Sequence, residues 1–138
     1  MNKQLLSAVL VTSLLGSLTA LAAQSGMSHS GSFHALGAPT TGTATLSESG
    51  GKMTLTLSNL KTEPGPDLQV WLYTGAAPMK GAKDADIARV KHVGVGTLKK
   101  FSGNFTYTLP AGTKASDYKS VVLWCADVKT AFGAAPLQ

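Results

Sequence analysis

Residues 118–138 read Y-K-S-V-V-L-W-C-A-D-V-K-T-A-F-G-A-A-P-L-Q, and the reading of this stretch decides the fold. Val121, Val122, Leu123 and Trp124 form the densest β-branched and aromatic run outside the N-terminus, which predicts a buried strand. Strand alternation places Val121, Leu123 and Cys125 on one face, with Val122, Trp124 and Ala126 on the other. Cys125 is the only cysteine in the chain, and it stands where the strand run ends. The apolar run of residues 131–137 predicts a last short strand.

Upstream, the same period of two recurs. Phe33 and Ala35 alternate with Ser32 and His34, and Ala44 and Leu46 alternate with Thr43 and Thr45. After a turn at residues 47–51, Met53, Leu55 and Leu57 alternate with Thr54, Thr56 and Ser58, the pattern of a half-buried antiparallel hairpin. The prolines and glycine of residues 63–67 predict a rigid turn. Leu68, Val70 and Leu72 then oppose Gln69, Trp71 and Tyr73, and two apolar faces predict a central strand covered on both sides. Residues 74–93 form one long irregular segment in which 84–90 read as a short helix; its length predicts a mobile contact surface. Thr97-Leu98 is a short strand signal, and Phe105, Tyr107 and Leu109 alternate with Thr106 and Thr108 before Pro110 ends the run. Without a sustained helical period, the whole reads as an all-β antiparallel β-sandwich of roughly seven or eight strands.

The order and spacing of several short motifs carry a resemblance. They are Gly31-Ser32-Phe33, Gly42-Thr43-Ala44, Gly65-Pro66-Asp67-Leu68 with Val70-Trp71-Leu72, and Gly96-Thr97-Leu98-Lys99. Gly103, Tyr107-Thr108-Leu109-Pro110, Tyr118, Val121, Trp124-Cys125, Phe132-Gly133 and Ala135-Pro136-Leu137 follow. In this the chain resembles the DM-thirteen domain family, an electron-transfer domain whose hallmark is a strand ending in Trp-Cys. It departs from the family at Val128, where a bulky aromatic is usual three residues past the cysteine. The resemblance implies a redox role for Cys125, either as a naked thiol or as the holder of a prosthetic group such as haem.

Residues 1–23 read as a secretory signal peptide. Lys3 supplies the positive start, residues 5–18 the apolar core, and Ala20-Leu21-Ala22 the cleavage site, with cleavage after Ala22 or Ala23. The apolar stretch is short for a membrane span, and the cleavage site offers no cysteine for lipid attachment. The expected location is therefore secreted or periplasmic, with no integral span once the leader is removed. Residues 24–30 read as a flexible linker and residues 31–138 as the single domain. Met27 and His29 in that linker do not complete a copper site by themselves; a weak copper binder that adds a distant thiol is a third reading.

Composition excludes several classes. Hydrophobic residues make up 43% and charged residues 14%, a globular balance that argues against disorder. The formal net charge is +5, yet the basic residues are dispersed and the longest basic run is Lys99-Lys100, which speaks against a nucleic-acid groove. There is no C-x-x-C-H for covalent haem and no second cysteine for a metal site. His29, His34 and His92 never stand at ligand spacing and read as surface residues. Residues 26–30 miss the G-x-S-x-G elbow, Gly94-x-Gly96 reads as a turn, and Asp67 reads as a cap of its own turn. No catalytic residue is assigned.

On residue type alone Cys125 is open to four roles: an inert core thiol, a reactive thiol, a ligand, or half of an intermolecular bridge. Trp71 and Trp124 are core residues by default; either one, lying beside Cys125, would shield a cofactor or quinone-like ligand. The leading expectation is an exported redox or electron-transfer module centred on Cys125, working with an unidentified redox partner or envelope component, with haem, another redox group or no cofactor at the sulfur. The alternative is a non-catalytic envelope-binding domain with Cys125 as core filler and residues 74–93 as its contact surface.

Overall fold

The computed structural model describes residues 27–138, so the leader read at residues 1–23 lies outside the described residues. Two antiparallel sheets pack face to face. The four-stranded sheet has the order β1 (Ser28–Ser32), β3 (Thr41–Ser49), β4 (Lys52–Lys61), β7 (Ser102–Thr108). The five-stranded sheet has the order β2 (His34–Ala35), β9 (Thr130–Pro136), β8 (Ser120–Cys125), β5 (Leu68–Tyr73), β6 (His92–Thr97). One short helix, α1 (Asp84–Arg89), and a single 3₁₀ turn at Ala115–Asp117 complete the described residues.

Alternation builds the core. Leu46, Leu55 and Leu57 of one sheet and Leu68, Val70, Leu72, Val121 and Leu123 of the other are fully buried in a single apolar cluster. Each such side chain stabilises the fold by roughly 1.5–3 kcal/mol relative to exposure. The five-stranded sheet is apolar on its outer face as well. There Trp71, Tyr73, Val122, Trp124 and Ala134 form a second cluster, closed by Ile87 of α1. The double-faced apolar reading of residues 68–73 is thus met by two separate cores, one on each side of the sheet.

The strand count reaches nine among the described residues because the first run of chain changes sheets. β1 pairs with β3 in one sheet and β2 with β9 in the other, while Phe33 between them donates its N–H to Gly42 O at 2.8 Å. β1 begins at Ser28, inside the segment read as a flexible linker; backbone pairing to β3 holds a stretch whose side chains offer no apolar signal. Gly94 and Gly96 lie within β6 and are not a turn, and their lack of side chains hid the strand's alternation. The helix at residues 84–89 falls where the short helix was read.

Residues 74–91 are fastened rather than free. Tyr73 Oη donates to Ile87 O at 2.9 Å, Asp84 Oδ1 accepts from Ala131 N at 3.0 Å, and Ser120 Oγ donates to Gly75 O at 2.8 Å. With Thr74 Oγ1 donating to Lys91 O at 2.8 Å, the segment becomes a cover over the outer face of the sheet. The expectation of a mobile loop rested on length and lack of periodicity, signals that carry no information on these anchors.

Candidate functional site

Cys125 is the last residue of β8, paired with Leu68 of β5 and Thr130 of β9. Its inward register puts it in the inter-sheet core with Val121 and Leu123, at 0% exposure. The pairing with Leu68 brings the residues just before β5 over the sulfur. Cys125 Sγ donates to Pro66 O at 3.1 Å, and Ala126 N donates to Asp67 O at 3.0 Å. Asp67 takes a left-handed φ of 51°, which aspartate tolerates better than most residues and which swings the turn into β5.

The turn lies directly on the thiol. A Cβ placed on Gly65 would stand 3.3 Å from Cys125 Sγ and 3.0 Å from the Phe132 ring. Yet Glu63, Pro64, Pro66 and Asp67 are all exposed. A single layer of backbone therefore separates the sulfur from solvent, although the sulfur itself is fully enclosed. Cys125 does stand where the strand run ends, and its sulfur lies within the core rather than at the surface.

The tryptophans stand elsewhere. Trp124 follows the alternation of β8 to the opposite face of the sheet, where its ring stacks on Trp71 with centroids 4.8 Å apart and planes 19° apart. Trp71 stacks in turn on His92 at 3.6 Å and 9°. Trp71 Nε1 donates to Gln69 Oε1 at 3.0 Å, and His92 Nδ1 donates to Val90 O at 2.7 Å. The sheet lies between this column and the sulfur, so neither tryptophan shields Cys125; Pro66, Gly65 and Phe132 do. His92, read as a surface residue, is half-buried as the third ring. Its signal was Gly94, which stands opposite Trp71 and leaves the space over the indole open to a neighbour. His34 is likewise engaged, its Nε2 donating to Pro78 O at 2.6 Å.

The family model described as "Electron transfer DM13" matches residues 32–137. The chain belongs to the DM13 family. No curated protein and no solved structure gives a match. The DM13 match spans every strand from the end of β1 to β9 and includes the Trp124-Cys125 pair.

A haem, one of the prosthetic groups open to a DM13 cysteine, does not fit the sulfur as folded. Sγ is enclosed by the residue 63–67 turn and by Phe132, and it is already bonded to Pro66 O. Two cavities among the described residues, of about 400 and 380 Å³, are lined by other residues. Among the described residues no group of three or more His, Cys, Asp or Glu is placed to hold a metal ion, and no helix is long and apolar enough to cross a membrane. What the site can offer chemically is a single thiol under a thin lid.

Proposed function

We propose that this DM13 chain is an exported, single-domain redox module in which Cys125 itself is the redox group, meeting its partner outside the cytoplasm. The observation that carries the reading is the cover over the thiol: one turn of backbone, exposed on its far side, rests on a sulfur at the very end of β8. Opening residues 63–67 would bare the sulfur without parting the two sheets, and such local openings need less free energy than global unfolding. With one cysteine, the disulfide partner comes from another molecule. The Cys125 S–H bond and the partner's S–S bond break, a new S–S bond forms, and the proton leaves with the displaced thiol. The sulfur is oxidised and the partner disulfide is reduced.

Alkylation of the native mature chain tests this. Labelling of Cys125 is expected to be slow yet much faster than global unfolding, and Cys125→Ser is expected to fold while losing exchange with glutathione disulfide. Labelling at the global unfolding rate, with no mixed disulfide, would overturn the redox role. The second reading, an envelope-binding domain with Cys125 as filler, is favoured by the 0% exposure of that residue within the main core, and it would then stand.

A further inference from the structure

The open edge of the sandwich, where β6 and β7 are the outer strands of different sheets, carries chemistry that the redox reading does not use. A groove of about 400 Å³ lies there, lined by Thr97, Lys99, Lys100, Asn104, Phe105 and Tyr107. That is within the size range of small-molecule sites, which run from roughly 300 to 1,000 Å³. Phe105 and Tyr107 share the inward register of β7, opposite Leu57 and Leu55, and both are half-buried.

Two features show how the groove is shaped. The Tyr107 ring leans across onto β6, where any Cβ on Gly96 would overlap it. A glycine within a strand weakens the strand and often marks a close approach; here it makes room for the ring. Asn104 Oδ1 accepts the N–H of Asn59 at 2.8 Å, which fixes the amide and leaves its NH₂ to donate.

The electrostatics select the ligand. The lining residues bring two ammonium groups and no carboxylate; Glu63 lies on a different cavity, with Lys61. Burial pushes the Tyr107 phenol above its ordinary pKa, so it stays a neutral donor. A bare phosphate would leave the rings unused, a neutral aromatic would leave the lysines unused, and a nucleic acid would need a longer basic track.

We propose that this groove binds a small planar aromatic carboxylate, with its ring against Phe105 and Tyr107 and its carboxylate between Lys99 and Lys100. The site does not depend on the redox role of Cys125. Exposed ion pairs contribute modestly, so two of them favour an anion over its neutral counterpart by about three- to tenfold at low salt.

The test uses the mature chain, with 2-naphthoate and 2-naphthylmethanol as matched probes, followed by backbone amide chemical shifts. Naphthoate is expected to bind more tightly by that factor, to shift amides of residues 97–107, and to weaken with added salt. Lys99→Gln with Lys100→Gln, both exposed positions, is expected to abolish the preference and leave the melting temperature unchanged. Equal affinity for the two probes, shifts centred elsewhere, or a preference retained in the double variant would each overturn the proposal. So would a failure of both probes to bind at millimolar concentration, or self-association through the free edge of β7 that excludes them.

Discussion

Gly65 occupies a position where one methyl group would meet Cys125 Sγ at 3.3 Å and the Phe132 ring at 3.0 Å. The sulfur is packed in the core and has little room to retreat, and the half-buried Phe132 ring crowds the same methyl. Gly65→Ala is therefore expected to lift the turn rather than compress the core, at a cost of about 1–3 kcal/mol. Denaturant titration checks the cost, and the rate of Cys125 alkylation checks the route, since a lifted turn speeds labelling beyond what lost stability alone explains. Unchanged labelling with the full loss of stability would mean that the turn is not the gate. Cys125 stood out in the chain by its uniqueness and by the Trp-Cys order. Its neighbours were not, because Gly65 and Pro66 reach the sulfur only through the register that sets Leu68 beside Cys125.

At the level of elements, β8 behaves as its alternation requires: Val121, Leu123 and Cys125 face one core, and Val122 and Trp124 face the other. The second core depends on α1, whose six residues are too short to be stable alone and which is held by Ile87 and by the Tyr73 and Asp84 hydrogen bonds. Ile87→Ala is expected to cost about 2–4 kcal/mol and to red-shift tryptophan emission as water reaches the Trp71–Trp124 stack. Native-state alkylation of Cys125 should rise no more than the lost global stability requires, because the sheet separates α1 from the sulfur. Combined emission and labelling measurements check both halves. The helix was visible as a weak signal at residues 84–90. Its role as a clamp on the outer face was not, since Asp84 and Ala131 are brought together only by the packing of the segment over β9.

For the whole molecule, the two tyrosines with raised pKa values predict an alkaline limit. Burial lifts Tyr73 and Tyr107 above the ordinary 10.0, so the unfolded chain ionises before the folded one. The resulting stability is fully present below pH about 10 and is lost as pH rises through the folded pKa values. Urea midpoints are expected to fall above that pH with little change attributable to these groups between pH 7 and 9. Tyr73→Phe with Tyr107→Phe should flatten the fall, at a neutral-pH cost of about 1 kcal/mol from the lost bond to Ile87 O. An equally steep fall in the double variant would assign the alkaline loss to other groups.

The local pattern of the chain was enough for the all-β class, the antiparallel pairing, the inward set Leu55, Leu57, Val70, Val121 and Leu123, and the family, because strand alternation and short turn motifs are local properties. Strands without an apolar signal escaped it: polar β1 and glycine-bearing β6 exist because their backbones pair with neighbours already in place. The same holds for every feature of the candidate sites. The lid over Cys125 and the His92–Trp71–Trp124 column join segments distant in sequence, and the groove at Lys99 and Lys100, although lined within residues 97–107, takes its shape from the approach of Tyr107 to Gly96. Their geometry follows from sheet register and from which face of β5, β7 and β8 each side chain occupies, quantities set by the collective packing of two sheets.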